Sequence, residues 1–201
     1  MTIKIYPQNP NEKHVAQVAD ILRDGGVAVF PTDGLYAIGC SIASPKAVER
    51  LKTLSGRSES KLTIICADLS HIADYAKVDN SAFKILKRNL PGPFTFILPA
   101  SSRVPDKVLG KRKSVGVRVP DNPIPVAIIR ELGSPLVSCT LRTAGDEQEY
   151  TTDPELMLEE WGGVVDVLVD GGAGGLVPTT VVDLSEGEAE IVREGAGEPV
   201  I

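Results

Sequence analysis

Pro31-Thr32-Asp33-Gly34-Leu35-Tyr36-Ala37-Ile38-Gly39-Cys40 follows directly on a four-residue apolar run, Val27-Ala28-Val29-Phe30. That run is too short for a helix and predicts a strand. The ten residues after it read as a loop at the edge of a sheet, with a proline, polar side chains and one aromatic. Ligand-contacting groups concentrate at such positions.

Working outward, Val15, Val18, Ile21 and Leu22 recur at helical spacing and stop at Gly25-Gly26, which predicts a helix leading into the strand. Ser44-Pro45 and Asp153-Pro154 each pair an N-cap residue with proline at the first helical position, so both open helices. A further helix is expected over 80–89, halted before Pro91, and another over 123–132, ending at Gly133. Strands are expected at 62–66, 94–98, 114–119, 136–139, 164–169, 180–184 and 190–193, the last two joined by Ser185-Glu186-Gly187. Helices and strands interleave irregularly and end on two adjacent strands. The expected fold class is mixed α/β (α+β): a twisted mixed sheet with helices on its faces, in a single domain spanning 1–201.

The chain of 201 residues is long enough for one substantial core. Its N-terminus shows no charged-then-apolar leader and no run approaches a membrane span, so a soluble cytoplasmic protein is expected. Cys40, Cys66 and Cys139 are odd in number and set among aliphatic residues, which predicts three small buried side chains rather than a disulfide framework. His14 and His71 are too isolated for a metal site, and none is expected.

The net charge of −6 is unevenly spread. Residues 77–130 carry 11 basic and 3 acidic side chains, whereas 131–201 carry 2 and 16. A basic middle in an acidic chain points to a local anion site rather than a general polyanion binder. Lys84, Lys87 and Arg88 read as a solvated helix face; the denser stretch from Lys107 to Arg118 suits a solvated surface or an anion site equally. No GxxxxGK[ST] or GxSxG motif occurs, and Gly171-Gly172-Ala173-Gly174-Gly175 is not a GxGxxG.

The opening segment resembles the PTDTxYGLGC motif of YrdC-type proteins. The likeness continues, in order, through Pro91-Gly92-Pro93-Phe94-Thr95-Phe96-Ile97-Leu98, Val115-Gly116-Val117-Arg118-Val119-Pro120, Pro178-Thr179-Thr180-Val181-Val182-Asp183 and Val192-Arg193-Glu194-Gly195. Together these span nearly the whole chain. The resemblance implies a threonylcarbamoyl-AMP synthase, joining L-threonine, bicarbonate and ATP with release of pyrophosphate, in the service of the threonylcarbamoyladenosine modification of tRNA. It implies magnesium carried by the ATP phosphates, a nucleotide site of Arg57, Lys61, Thr140, Thr179, Thr180 and Arg193, and a substrate site of Thr32, Asp33, Tyr36 and Arg118. The bland alternatives are a structural salt bridge for Arg118, a half-buried aromatic for Tyr36 and a strand-surface cation for Arg193. Three departures stand out: Ser55 replaces the first lysine of the family's KxRPxxKP cluster, Arg142 the asparagine of its TSAN loop, and Gly34 the second threonine of PTDT. These resemble the YciO branch. They keep two alternatives open: a nucleotide- or double-stranded-RNA-binding protein without the chemistry, and an enzyme for another amino-acid-like substrate.

Overall fold

The computed structural model describes residues 1–56, 62–142 and 149–201. Its first half runs β1 (Thr2–Lys4), α1 (Glu12–Arg23), β2 (Val27–Phe30), β3 (Ala37–Ser41), α2 (Pro45–Leu54), β4 (Thr63–Ile65), α3 (Leu69–Tyr75) and α4 (Asn80–Asn89). The second half runs β5 (Phe94–Pro99), α5 (Asp106–Leu109), β6 (Ser114–Arg118), α6 (Pro123–Leu132), β7 (Leu136–Thr140), α7 (Glu149–Thr152), α8 (Pro154–Trp161), β8 (Val167–Asp170), β9 (Thr180–Asp183) and β10 (Glu190–Arg193).

The helices start where their caps dictate. The Ser44 hydroxyl accepts from the Ala47 amide, and the Asp153 carboxylate from that of Glu155, each ahead of a first-turn proline. Gly133 closes α6 at φ 78°, in the left-handed region that glycine enters without strain.

The strands form one mixed sheet in the order β1-β8-β2-β3-β7-β4-β6-β5-β9-β10. β1·β8, β2·β8, β4·β6 and β5·β9 are parallel and the other pairs antiparallel. The mixed α/β expectation is met, with one correction: Ala37–Ser41 is not loop but β3, held between β2 and β7 near the sheet's centre. All five of its residues are buried, so the polar–apolar alternation that flags a strand is missing.

Period-two alternation sorts the core between the sheet's faces. Val27 and Val29 join a cluster with Ile38, Leu51, Ile64, Phe96 and Val117. Ala28 and Phe30 turn the other way, to α1 (Val15, Val18, Leu22) and α6 (Ile124, Ile128, Ile129). The second face is thus roofed by α1 and α6 over the β1–β8–β2–β3 part of the sheet. Beyond it, over β4, β6, β5 and β9, the same face lines an open cavity. No helix among the described residues is long and apolar enough to cross a membrane.

Candidate functional site

Alternation builds the cavity floor. On β5, Phe94, Phe96 and Leu98 are buried while Thr95 and Ile97 face the other way; on β9, Thr180 and Val182 are buried and Val181 and Asp183 are not. Thr95, Ile97, Val181 and Asp183 line a cavity of about 820 Å3, together with Thr63 of β4, Ser114, Gly116 and Arg118 of β6, and Ser138 and Thr140 of β7. The volume lies in the upper part of the range for small-molecule sites. A Cβ on Gly116 would stand 3.3 Å from both Thr63 Oγ1 and Thr95 Cγ2, so glycine keeps this floor low.

Arg112, Arg118, Arg142 and Arg193 all reach the wall, against one acid among the described residues, Asp183. Asp183 Oδ1 already accepts from the Ser185 amide and hydroxyl, at 2.8 and 2.6 Å. The cavity therefore favours anions.

Arg118 Nη2 donates to Asp33 Oδ1, and Asp33 Oδ2 accepts from the Asp121 amide at 2.9 Å. The two side chains are 11% and 8% exposed, so the structural reading of Arg118 is realised. Burial pulls the Arg118 pKa below its ordinary value, and Asp33 opposes the shift. Yet its Nε has no hydrogen-bond partner among the described residues, nor has Trp161 Nε1, although both atoms are buried. Unmet buried donors are costly. Both belong to residues of the cavity wall.

The residues singled out from sequence divide into three groups. Tyr36, Arg118, Thr140, Thr179 and Arg193 line the cavity. The Tyr36 hydroxyl donates to the Gly172 carbonyl at 2.7 Å and accepts from the Gly171 amide at 3.1 Å. Burial raises its pKa to about 12. Tyr36 is thus fully buried rather than half-buried, with its polar end spent on the glycine run. Arg193 Nε and Nη2 donate to the Thr179 carbonyl at 3.1 and 2.7 Å, and Thr179 Oγ1 lies 2.9 Å from Thr95 Oγ1.

The second group stands off the wall. Thr32 Oγ1 donates to the Leu35 carbonyl and accepts from the Gly34 amide, so Thr32 shapes the loop while Asp33 anchors Arg118. Thr180 is a correction: it points to the buried face with Val182, and its hydroxyl donates to the Gly197 carbonyl and accepts from the Gly195 and Gly197 amides. Its neighbour Thr179 takes the cavity side. The third group, Arg57 and Lys61, lies outside the described residues.

Sequence reading missed Thr63, Thr95, Ser138 and Arg112. The alternation of 114–118 was the available signal: it fixes the floor side of β6, and pairing extends that side to Thr63 and Ser138. Cys40 and Cys66 are buried as expected, but Cys139 is part-exposed on the cavity wall. No group of three or more His, Cys, Asp or Glu among the described residues could hold a metal ion.

Comparison with known proteins gives a consistent result. The Sua5/yciO/yrdC family model, described as telomere recombination, matches residues 20–195. YciO of Escherichia coli K12 is 42% identical over 197 residues, covering 96% of this chain and 95% of its own. The crystal structure of E. coli YciO superposes with a TM-score of 0.91, covering 98% and 97% of the two chains. A threonylcarbamoyl-AMP synthase of Vibrio vulnificus is 32% identical over 165 residues, 80% of this chain and 88% of its own. The structure of P. abyssi Sua5 complexed with L-threonine matches at 28% identity and a TM-score of 0.86, over 97% of this chain and 57% of the longer one.

Proposed function

The chain belongs to the Sua5/YciO/YrdC family, and from that premise we propose that it forms threonylcarbamoyl-AMP from L-threonine, bicarbonate and ATP. The observation that carries the reading is the cavity wall: four arginines, a hydroxyl-rich floor and a single acid among the described residues.

The reaction suits such a wall. The threonine amine takes up carbon dioxide, drawn from bicarbonate, as a carbamate. A carbamate oxygen then attacks the α-phosphorus, and the bond to the bridging oxygen breaks as pyrophosphate leaves with the electron pair. The nucleophile is already anionic, so no strong general base is required; catalysis rests on alignment and on cations facing the phosphates. Under this reading Arg118 serves the threonine carboxylate, beside Tyr36. Thr140, Thr179 and Arg193 serve the nucleotide, together with Arg57 and Lys61. Magnesium, carried by the ATP phosphates, would neutralise part of their charge. The product would supply the threonylcarbamoyl group for tRNA modification.

The test is pyrophosphate release on incubation with ATP, threonine and bicarbonate. Release that requires threonine supports the proposal; release indifferent to threonine, or none, overturns it. A second reading draws on Ser55 and Arg142, which stand where the family motifs carry a lysine and an asparagine. In it the cleft binds nucleotide, or the protein binds double-stranded RNA, without joining substrates. ATP bound in calorimetry with no turnover would favour that reading. Turnover with another amino acid in place of threonine would favour a changed substrate.

A further inference from the structure

Of the basic residues at 107–118, most are spent or turned to solvent. Lys107 pairs with Glu49 at 3.3 Å, Lys111 and Lys113 are exposed, and Arg118 faces Asp33. Arg112 differs. It is part-buried on the cavity wall, its Nε donating to the Leu109 carbonyl at 3.2 Å and its Nη2 to that of Val108 at 3.0 Å. Those bonds fix the guanidinium against the end of α5 and supply no countercharge. Arg112 has no carboxylate partner among the described residues, and burial lowers its pKa from the ordinary value. A positive charge held part-way out of water, with its remaining donors on a cavity, is satisfied by an anion.

Strand register shows where that anion would sit. Gly116, Thr63 and Ser138 form one row across β6, β4 and β7. Ser114 and Thr140 both lie to one side of this row, because β4 runs parallel to β6 and antiparallel to β7. Arg112 precedes Ser114 and Arg142 follows Thr140, so both cations leave the sheet from that side, while Arg118 ends β6 on the other. The strands β6 and β7 stand two spacings apart, about 10 Å, a gap that two long arginines can close on a shared diphosphate.

We infer that Arg112, with Arg142 across the cleft, is the site for the pyrophosphate end of the nucleoside triphosphate. This rests on the adenylate-forming reading above. It makes Arg112 an anion-binding residue outside every motif that carries the family resemblance. It also gives the cleft a charge at its phosphate end despite Ser55.

The experiment is calorimetry of inorganic pyrophosphate, ATP and AMP against the full chain, Arg112→Gln and Arg112→Lys, each with its thermal midpoint. Gln retains a donor for the α5 carbonyls and removes the charge. Arg112→Gln should weaken pyrophosphate and ATP about tenfold or more, the weight of a charge-assisted hydrogen bond, and leave AMP within about twofold; Lys should restore part of the loss. Equal weakening of AMP, no change in any ligand, or a parent chain that does not bind pyrophosphate each overturns the assignment. If the parent and Arg112→Gln bind ATP equally well while threonine-dependent turnover is intact, the Arg112 assignment fails and the synthase reading stands. If pyrophosphate binding depends on Arg112 but neither ATP nor AMP binds, the synthase reading fails and the anion site stands.

Discussion

Replacing Asp33 with alanine strands the most deeply held charge in the cavity wall. The Arg118 side chain is 11% exposed and Asp33 is its carboxylate partner among the described residues. Removing one member of a buried ion pair costs about 3–5 kcal/mol, because the other charge stays desolvated and uncompensated. The Asp121 amide also loses its acceptor, but it lies in an exposed residue where water substitutes, so that part adds little. The expected cost of Asp33→Ala is therefore about 3–4 kcal/mol. Arg118→Met fills the space without a charge but leaves the Asp33 carboxylate, 8% exposed, without its countercharge, so its cost should be comparable. The double variant leaves neither charge buried and should cost no more than either single change, so the interaction energy in the cycle is about 3 kcal/mol or more. Urea unfolding at pH 7 measures all four chains on one linear scale. Additive losses, or a cost of Asp33→Ala below about 1 kcal/mol, would refute the reasoning and mean that water already reaches Arg118.

Two other outcomes follow from the same geometry. Thr180→Val should lose about 1–3 kcal/mol, because three hydrogen bonds to Gly195 and Gly197 go at once and leave part-buried amides unmet; Thr180→Ser should recover most of it in urea unfolding. Burial raises the Cys40 thiol from 9.0 to about 12, so the unfolded chain gives up that proton first. The stability this thiol contributes is complete below about pH 9 and is lost as pH rises toward 12, about 3 kcal/mol by pH 11. Cys40→Ala should flatten that part of the pH–stability curve, and an unchanged slope would show the thiol to be solvated.

Sequence reading located the helices well because their signals are local: Ser44-Pro45, Asp153-Pro154 and Gly133 work through hydrogen bonds and dihedral angles within a single turn. It lost β3 because Ala37–Ser41 is buried on both sides, and small residues in a central strand look like a loop. It also passed over β1, whose three residues become a strand by pairing with β8. Thr179 and Thr180 are chemically alike and adjacent, so pairing register alone decides which faces the cavity. Arg112 was hidden for a related reason: between Lys111 and Lys113 nothing local distinguishes the residue that turns inward. Arg118 was legible as a substrate-site arginine or a structural salt bridge, while its partner, 85 positions away, emerges only from the fold.

The sheet order also has a consequence for synthesis on the ribosome. β1 pairs with β8, which ends at Asp170, and the cavity wall beside β5 is β9, which begins at Thr180. Thr180 in turn is tied to Gly195 and Gly197, and Asn89 bonds both backbone groups of Val200 at 2.9 and 2.8 Å. The first strand therefore waits for β8, and the last wall of the cleft for residues as far as Val200. Pairings this distant in sequence form late and slowly. A nascent chain that lacks this wall cannot hold a ligand in the cleft, and small molecules have no means to rescue it until the wall is made. Its exposed β-edges in that interval are a matter for chaperones.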